Sequence, residues 1–269
     1  MSEILKEEIS LIMKIFEEKE PPNVVAVGKT GHFITVLLET GNSGACFIDP
    51  EMKGDIKVPN NKNELLSAIK AANGDLNAKR SLGIALINAY SLWWFDKTDF
   101  WKNKQIYFGE EYDPMVLIKP KKDDIVAQVG YITPYIKYWV ENAGKVIVLE
   151  KNLKDDYDKR ITIAESVKDL AEADILIATG ASLLYHSTEE LLNICKNAKL
   201  RGIIGPSCTM FPEPFFKAGA DFVGGAKPKD PAQSFLAHLL EGRPINWFQR
   251  IYEKIIFFRT GLSPEKINF

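Results

Sequence analysis

Cysteine and histidine are scarce in this chain, and neither is clustered. The three cysteines, Cys46, Cys195 and Cys208, stand far apart and make no C-x-x-C spacing. A zinc knuckle and a disulfide framework are therefore not indicated, and a reducing, cytoplasmic location is the expectation. No apolar run reaches the length of a membrane span. The first twenty residues, MSEILKEEISLIMKIFEEKE, carry too many acids for a signal peptide. Neither sign of charge dominates: 34 Lys and Arg against 36 Asp and Glu give a net charge of −2. That balance offers no electrostatic reason to bind nucleic acid or an anionic membrane. The G-x-G-x-x-G fingerprint of dinucleotide-binding turns is missing too, so NAD and FAD are not expected. Internal repeats and low-complexity tracts are absent.

What is present reads as two successive patterns. Residues 2–19 form an amphipathic helix with Leu5, Ile9, Ile12, Met13 and Phe16 on one face, stopped by Pro21 and Pro22. Strand-like runs follow at 23–28, 33–39 and 44–49, then helical runs at 62–72 and 80–92. Strands followed by helices predict a small α+β unit. The aromatic segment from Ser91 to Trp101 is expected to pack one unit against the other. Beyond residue 108 strands and helices alternate. Strands are expected at 125–129, 145–150, 174–179, 200–204 and 221–223. Helices are expected at 134–143, 161–172, 187–196, 213–218, 231–240 and 247–258. This alternation predicts an α/β fold with a doubly wound parallel sheet. The expected domains are 1–108 and 109–269.

The loops at the strand ends carry the candidate site. In Val129-Gly130-Tyr131-Ile132-Thr133-Pro134, Thr133 reads as an N-cap and Pro134 as the first helical residue. Glu150 ends the second strand, where a Rossmann domain would hold a ribose hydroxyl; a solvated strand end is an equal reading. Thr179 and Gly180 suggest close approach by a ligand. Ser187 and Glu190 match a capping box, which by itself accounts for both. His186 reads by default as a surface or capping residue. The segment Gly205 to Gly225 concentrates four glycines and three prolines with Cys208, Met210 and Glu213. A thiolate and a thioether there would suit a thiophilic metal. Spacing alone favours Cys208 and Met210 as buried fillers and Glu213 as a first-turn acid. Gly219 reads as a helix C-cap, and Gly224-Gly225 as a site of close packing or positive φ.

Taken together, VGYITP (129–134), ATGASLLYHSTEELL (178–192), GPSCTMFPEPFFKAGADFVGG (205–225) and SLGIALINAYS (81–91) resemble a known family. It is the family named "Putative heavy-metal chelation", a Rossmann-like domain preceded by a domain similar to the enolase N-terminal domain. In the first half Gly83, Ala85, Asn88 and Ala89 match its Gly-Ala-Asn-Ala pattern. The resemblance implies a ligand site in the cleft between the domains and a role in binding a metal or a metal-linked small molecule. Gly130, Thr179, Gly180, Gly205, Pro206 and Ser207 would shape the cleft floor, with Pro134, Ser187, Gly224 and Gly225 nearby. Asn88 would reach in from the first domain. Glu150, Cys208 and Glu213 would be polar ligands, and His186 could join them for a metal ion of unspecified identity. The family pattern has an Asn, a small residue and a Thr where this chain has Tyr185, His186 and Ser187.

A second reading is an enzyme or sensor that binds an anionic metabolite or nucleotide at the same helix N-termini. A third is a subunit that docks or dimerises through Trp247 to Phe258, although packing of that run on its own sheet is preferred. No nucleophile or general base can be named from the sequence, so whether the chain is an enzyme stays open.

Overall fold

Two patterns of apolar residues build two layers of structure. The computed structural model describes residues 1–30, 32–49, 51–54, 56–230 and 252–267. Helix α1 (Glu3–Glu18) starts at Ser2, whose hydroxyl accepts the Leu5 N–H at 3.2 Å. Its buried face holds Ile4, Leu5, Ile12, Ile15 and Phe16, and it also buries Glu8. Strands β1 (Val24–Thr30), β2 (Phe33–Leu38) and β3 (Ser43–Phe47) form an antiparallel sheet in that order. Helix α3 (Ala78–Lys97) covers it, and α2 (Lys62–Lys70) packs against α3.

Helix α3 is buried nearly all round, which marks it as the centre of the small unit. Gly44 permits this. A β-carbon there would collide with the Ala85 carbonyl and the Ala89 amide of α3, so only glycine lets strand and helix backbones meet. The end of α3 and the turn after it carry the aromatic segment. Phe95 packs edge-to-face on Phe211 with centroids 4.9 Å apart, and Phe100 and Trp101 lie against Phe257. These rings seat the small unit on the large sheet, as expected.

The large sheet has eight strands: β4 (Ile106–Phe108), β5 (Ile125–Val129), β6 (Lys145–Leu149), β7 (Thr162–Ile163), β8 (Ile175–Thr179), β9 (Leu200–Ile204), β10 (Phe222–Pro228) and β11 (Tyr252–Phe258). Their order is β4-β11-β10-β9-β8-β5-β6-β7. The six strands from β5 to β10 run parallel, while β11 is antiparallel to both β10 and β4. Numbered from β5, the parallel block reads 3-2-1-4-5-6, the Rossmann order, and its direction of winding reverses between β5 and β8. Between the strands lie α4 (Pro114–Leu117), α5 (Thr133–Asn142), α6 (Thr188–Ile194) and α7 (Glu213–Lys217). Alternate residues serve opposite faces. Ala127, Leu176 and Ile203 join the core shared with α6, α7 and the small unit. Val126, Ile175 and Ile204 join a second core with Ile136 and Trp139 of α5.

Two expected helices are replaced. Residues 161–172 contain β7 and a short 3-10 turn, Val167–Leu170. The Asp169 carboxylate accepts the Glu165 and Ser166 amides at 2.9 Å and ties that turn locally. The 252–258 part of the last expected helix is strand β11. Its run Ile255-Ile256-Phe257-Phe258 is buried on both faces of the sheet, and such a run carries no period that separates helix from strand. This run packs within its own sheet. The helix expected at 231–240 lies outside the described residues. No described helix is long and apolar enough to cross a membrane.

Glu8 is fully buried and neither carboxylate oxygen has a hydrogen-bond partner. Burial, reinforced by Glu213 and only partly offset by the Phe211 backbone, which is too poorly aligned to make a full hydrogen bond, raises its pKa well above the ordinary 4.5. The fold thus favours the protonated acid, and stability falls as pH climbs from about 4.5 toward the raised folded value. Replacing Glu8 by Leu removes an unsatisfied buried group, with an expected gain of about 1–3 kcal/mol at pH 7. Urea unfolding at pH 7 and pH 4 should show the gain shrinking at the lower pH.

Candidate ligand cleft

The reversal of winding leaves the carboxyl ends of β5 and β8 diverging, and a cleft of about 340 Å3 opens there. Its first wall is the loop after β5. Gly130 has φ +88°, and a β-carbon on it would come within 2.9 Å of Thr179 Cγ2. Below it, fully buried Gln128 donates to the Gly130 carbonyl at 2.9 Å and accepts the Trp139 indole N–H at 2.8 Å. This chain of buried polar groups fixes the loop. The side chains of Tyr131 and Ile132 line the cleft in the part of the loop where a dinucleotide turn would carry glycine.

Glu150 forms the second wall. Its carboxylate accepts the Tyr131 N–H at 2.9 Å and the Asn152 N–H at 3.0 Å. Each oxygen keeps a free lone pair beside the cleft. The loop after β8 closes the floor: the Thr179 hydroxyl accepts the Ala181 N–H at 3.3 Å, and Ser182 shares a 2.7 Å hydrogen bond with Thr188. The small unit supplies the lid side. Phe47 lines the cleft, and its backbone N–H donates to the Ser207 hydroxyl at 2.9 Å. Tyr185 donates to Asp49 at 3.2 Å, and Lys151 stands 3.9 Å from the same carboxylate. Burial, then the Asp49 charge, pushes the Tyr185 phenol well up, so it remains a neutral donor.

The predicted site residues fall into separate groups. Gly130, Glu150, Thr179 and Ser187 line the cleft. Gly180 lies beneath it, where a β-carbon would come within 3.0 Å of the Cys208 sulfur. Gly205, Pro206 and Ser207 continue that layer at the end of β9, with Gly205 beside Gly180. Gly224 and Gly225 sit inside β10 against Ile204 and Thr209, so close packing rather than positive φ explains them. Pro134 is exposed in the first turn of α5, which begins one residue earlier than expected, at Thr133. Asn88 is fully buried and donates to the Ala45 carbonyl at 2.8 Å. Glu213 is exposed at the start of α7, near α1. His186 faces a neighbouring cavity. The expected capping box is not formed: the Ser187 hydroxyl donates backward to the Ser182 carbonyl at 3.3 Å, and Ser187 has helical backbone angles. Gly219, at φ +107°, follows α7 as the C-cap reading requires.

The chain matches the family model DUF364, described as "Putative heavy-metal chelation", over residues 113–258. That is more than half of its length. The chain belongs to the DUF364 family. Two crystal structures of DUF364 proteins of unknown function share the fold across nearly their whole length. One, from Pyrococcus horikoshii, has a TM-score of 0.73 at 20% identity and covers 95% of this chain and 100% of its own. The other, from Desulfitobacterium hafniense DCB-2, has a TM-score of 0.71 at 16% identity and covers 94% and 99%. An uncharacterized protein of Methanocaldococcus jannaschii is 29% identical over 161 residues, which is 59% of this chain and 58% of that relative.

The DUF364 description raises a direct question about donors. Cys208 is fully buried, and its thiol faces the Gly205 and Gly224 carbonyls at 3.1 and 3.4 Å. Burial raises its pKa far above the ordinary value. Burial likewise pushes Cys46 up to about 12 and Cys195 to about 11. Among the described residues no three His, Cys, Asp or Glu side chains are grouped so as to hold a metal. The soft donors are packing groups in their protonated form, and they do not fit a thiolate metal site. Phe47, Asp49, Lys151 and Tyr185 were not among the predicted site residues. The only sequence signal near them is the break from the family pattern at Tyr185.

A thiol at about 12 is ionised to about one part in ten thousand at pH 8. Ellman's reagent at pH 8 should therefore leave all three cysteines of the native chain unmodified, and titrate all three in 6 M guanidinium. Rapid native labelling of Cys208 would contradict the sealed geometry.

Proposed function

We propose that this chain binds a small organic ligand, one that can carry a metal, in the cleft at the ends of β5, β6 and β8. The observation that supports this reading most is the Glu150 carboxylate placed beside that cleft at the end of the second parallel strand. A carboxylate there accepts hydrogen bonds from hydroxyl or amino groups, as the equivalent acid does for ribose in Rossmann domains. Phe47 and Tyr185 offer ring faces, and Tyr185, Thr179 and Ser182 offer hydroxyls. A mostly apolar concave wall with a few polar groups is the usual make-up of a small-molecule site.

In this reading a metal arrives as part of the ligand, chelated before it binds. Glu150 is the carboxylate that lines the cleft, Asp49 is buried as the acceptor of the Tyr185 phenol, and the sulfur groups are sealed away. The chelation role of the family is thereby kept and the direct role of Cys208, Glu213 and His186 as metal ligands is set aside. The competing reading is an anionic metabolite at the same strand ends. It is disfavoured at this loop, because Glu150 already takes the Tyr131 amide that an anion would use.

A thermal-shift panel tests the reading with three sets of probes: thiophilic metal ions alone, catechol chelators with and without metal, and nucleosides. A bound probe at about a hundred times its Kd adds roughly 2.7 kcal/mol, enough to raise the midpoint visibly. Hydroxyl-bearing organic probes should raise it, and Glu150→Ala should abolish the shift. A shift given by free metal ions alone, retained in Glu150→Ala and lost in Cys208→Ala, would overturn the proposal in favour of direct chelation.

A further inference from the structure

A second cavity, of about 380 Å3, lies on the other side of Tyr185. Asn73, Asp75 and Leu76 from the turn before α3 form one wall, Arg80, Tyr185 and His186 form the other, and Met1 also lines the cavity, its amino group a second positive charge near His186. Arg80 is only 1% exposed. Its Nη2 donates to the Leu183 carbonyl at 2.6 Å and to His186 Nδ1 at 2.5 Å. Its Nε is buried with no partner. Among the described residues no carboxylate stands within ion-pair distance of this guanidinium; the Glu189 charge favours its protonated form from farther off.

Both acceptors that Arg80 does have are neutral. The imidazole of His186 receives its bond at Nδ1, so its proton sits on Nε2, which faces the Gly74 carbonyl at 3.4 Å. Burial first, and then the Arg80 charge, hold His186 below its ordinary pKa and keep the ring uncharged. His186 also sits at φ +53°, the one non-glycine residue with positive φ among those described. That conformation is rare for a side chain with a β-carbon and places strain where the ring meets Arg80. Burial lowers the Arg80 pKa only to about 10, so the guanidinium stays charged at neutral pH.

A buried charge is normally paired, because desolvation is expensive. Here the cation, its orphaned N–H and a cavity large enough for a small ligand occur together. We propose that this cavity is an oxyanion site, in which Arg80 binds the carboxylate or phosphate group of a small metabolite. A guanidinium matches either group through paired N–H donors. Asp75, exposed at the cavity wall, opposes an incoming anion and sets the affinity lower than Arg80 alone would. This site is separate from the Glu150 cleft and does not depend on what that cleft binds.

Calorimetric titration of the full chain at low ionic strength, with inorganic phosphate and with succinate in separate runs, tests the proposal. The stronger of the two probes identifies the preferred group. Arg80→Met, which replaces the charge with an apolar chain of similar length, should weaken that probe about ten- to a hundredfold. Asp75→Asn, an exposed change, should tighten it about two- to fivefold. Lys151→Ala, on the far side of Tyr185 in the first cleft, should leave it unchanged. Failure of both probes to bind the parent chain would overturn the proposal. So would equal binding by the folded Arg80→Met protein, an unaltered affinity in Asp75→Asn, or a loss confined to Lys151→Ala. The last result would place the anion in the first cleft and leave the second cavity without a role.

Discussion

Everything in the candidate site depends on the reversal of winding between β5 and β8. Parallel strands wound in opposite directions from one point leave their connecting loops splayed apart. The gap needs a cover, and the small unit supplies it. Its attachment is both greasy and specific. The Phe95, Phe100 and Trp101 rings pack on Phe211 and Phe257, while the Phe47 amide and Asp49 reach Ser207 and Tyr185 by hydrogen bonds. The rings supply area, and the hydrogen bonds fix where β3 ends relative to the loops of the sheet.

Charge is distributed unevenly around that seam. Glu150 and Lys151 bring one charge of each sign to the first cleft, and Arg80 gives the second cavity a buried cation with no ion-pair partner among the described residues. Tyr185 separates the two and borders both. Its phenol, held neutral by burial and by Asp49, gives its one proton to Asp49 and adds no charge to either side. The sulfur groups take no part in this division. Buried and hydrogen-bonded to carbonyls, Cys208 serves as a filler between the loops after β8 and β9. The buried, protonated thiols of this member of DUF364 are therefore not placed as thiolate ligands.

The alternation of apolar runs and glycine-bearing loops after residue 108 was enough to read a parallel sheet. Helix α1 was legible from its 3.6-residue period, and the three strands of the small unit from short strand-like runs bounded by glycine turns. The misreadings came where period is uninformative. The Ile255 to Phe258 run is buried on both faces of its sheet, so it alternates nothing. The 161–172 stretch contains scattered buried apolar residues, Ile161, Ala164 and Leu170, that mimic helical spacing while local Asp169 bonds hold a short turn. The candidate residues that sat on strand ends came together, since Gly130, Glu150 and Thr179 all line the cleft. Asp49 and Phe47 were not legible as site residues, since nothing near β3 in the chain announces that it meets a loop 130 or more residues away.

The sequence by itself determined the kind of layers, the order of the parallel strands' loops and the family. Those follow from local period, turn residues and motif order, all of which act over short stretches of chain. Tertiary structure alone decided the use of the side chains. Cys208 became a sealed thiol, Glu150 a cleft-lining acceptor, and Arg80 a buried cation, because each role depends on desolvation and on partners brought from distant segments. Burial and pairing are properties of the folded neighbourhood, and no spacing along the chain encodes them directly.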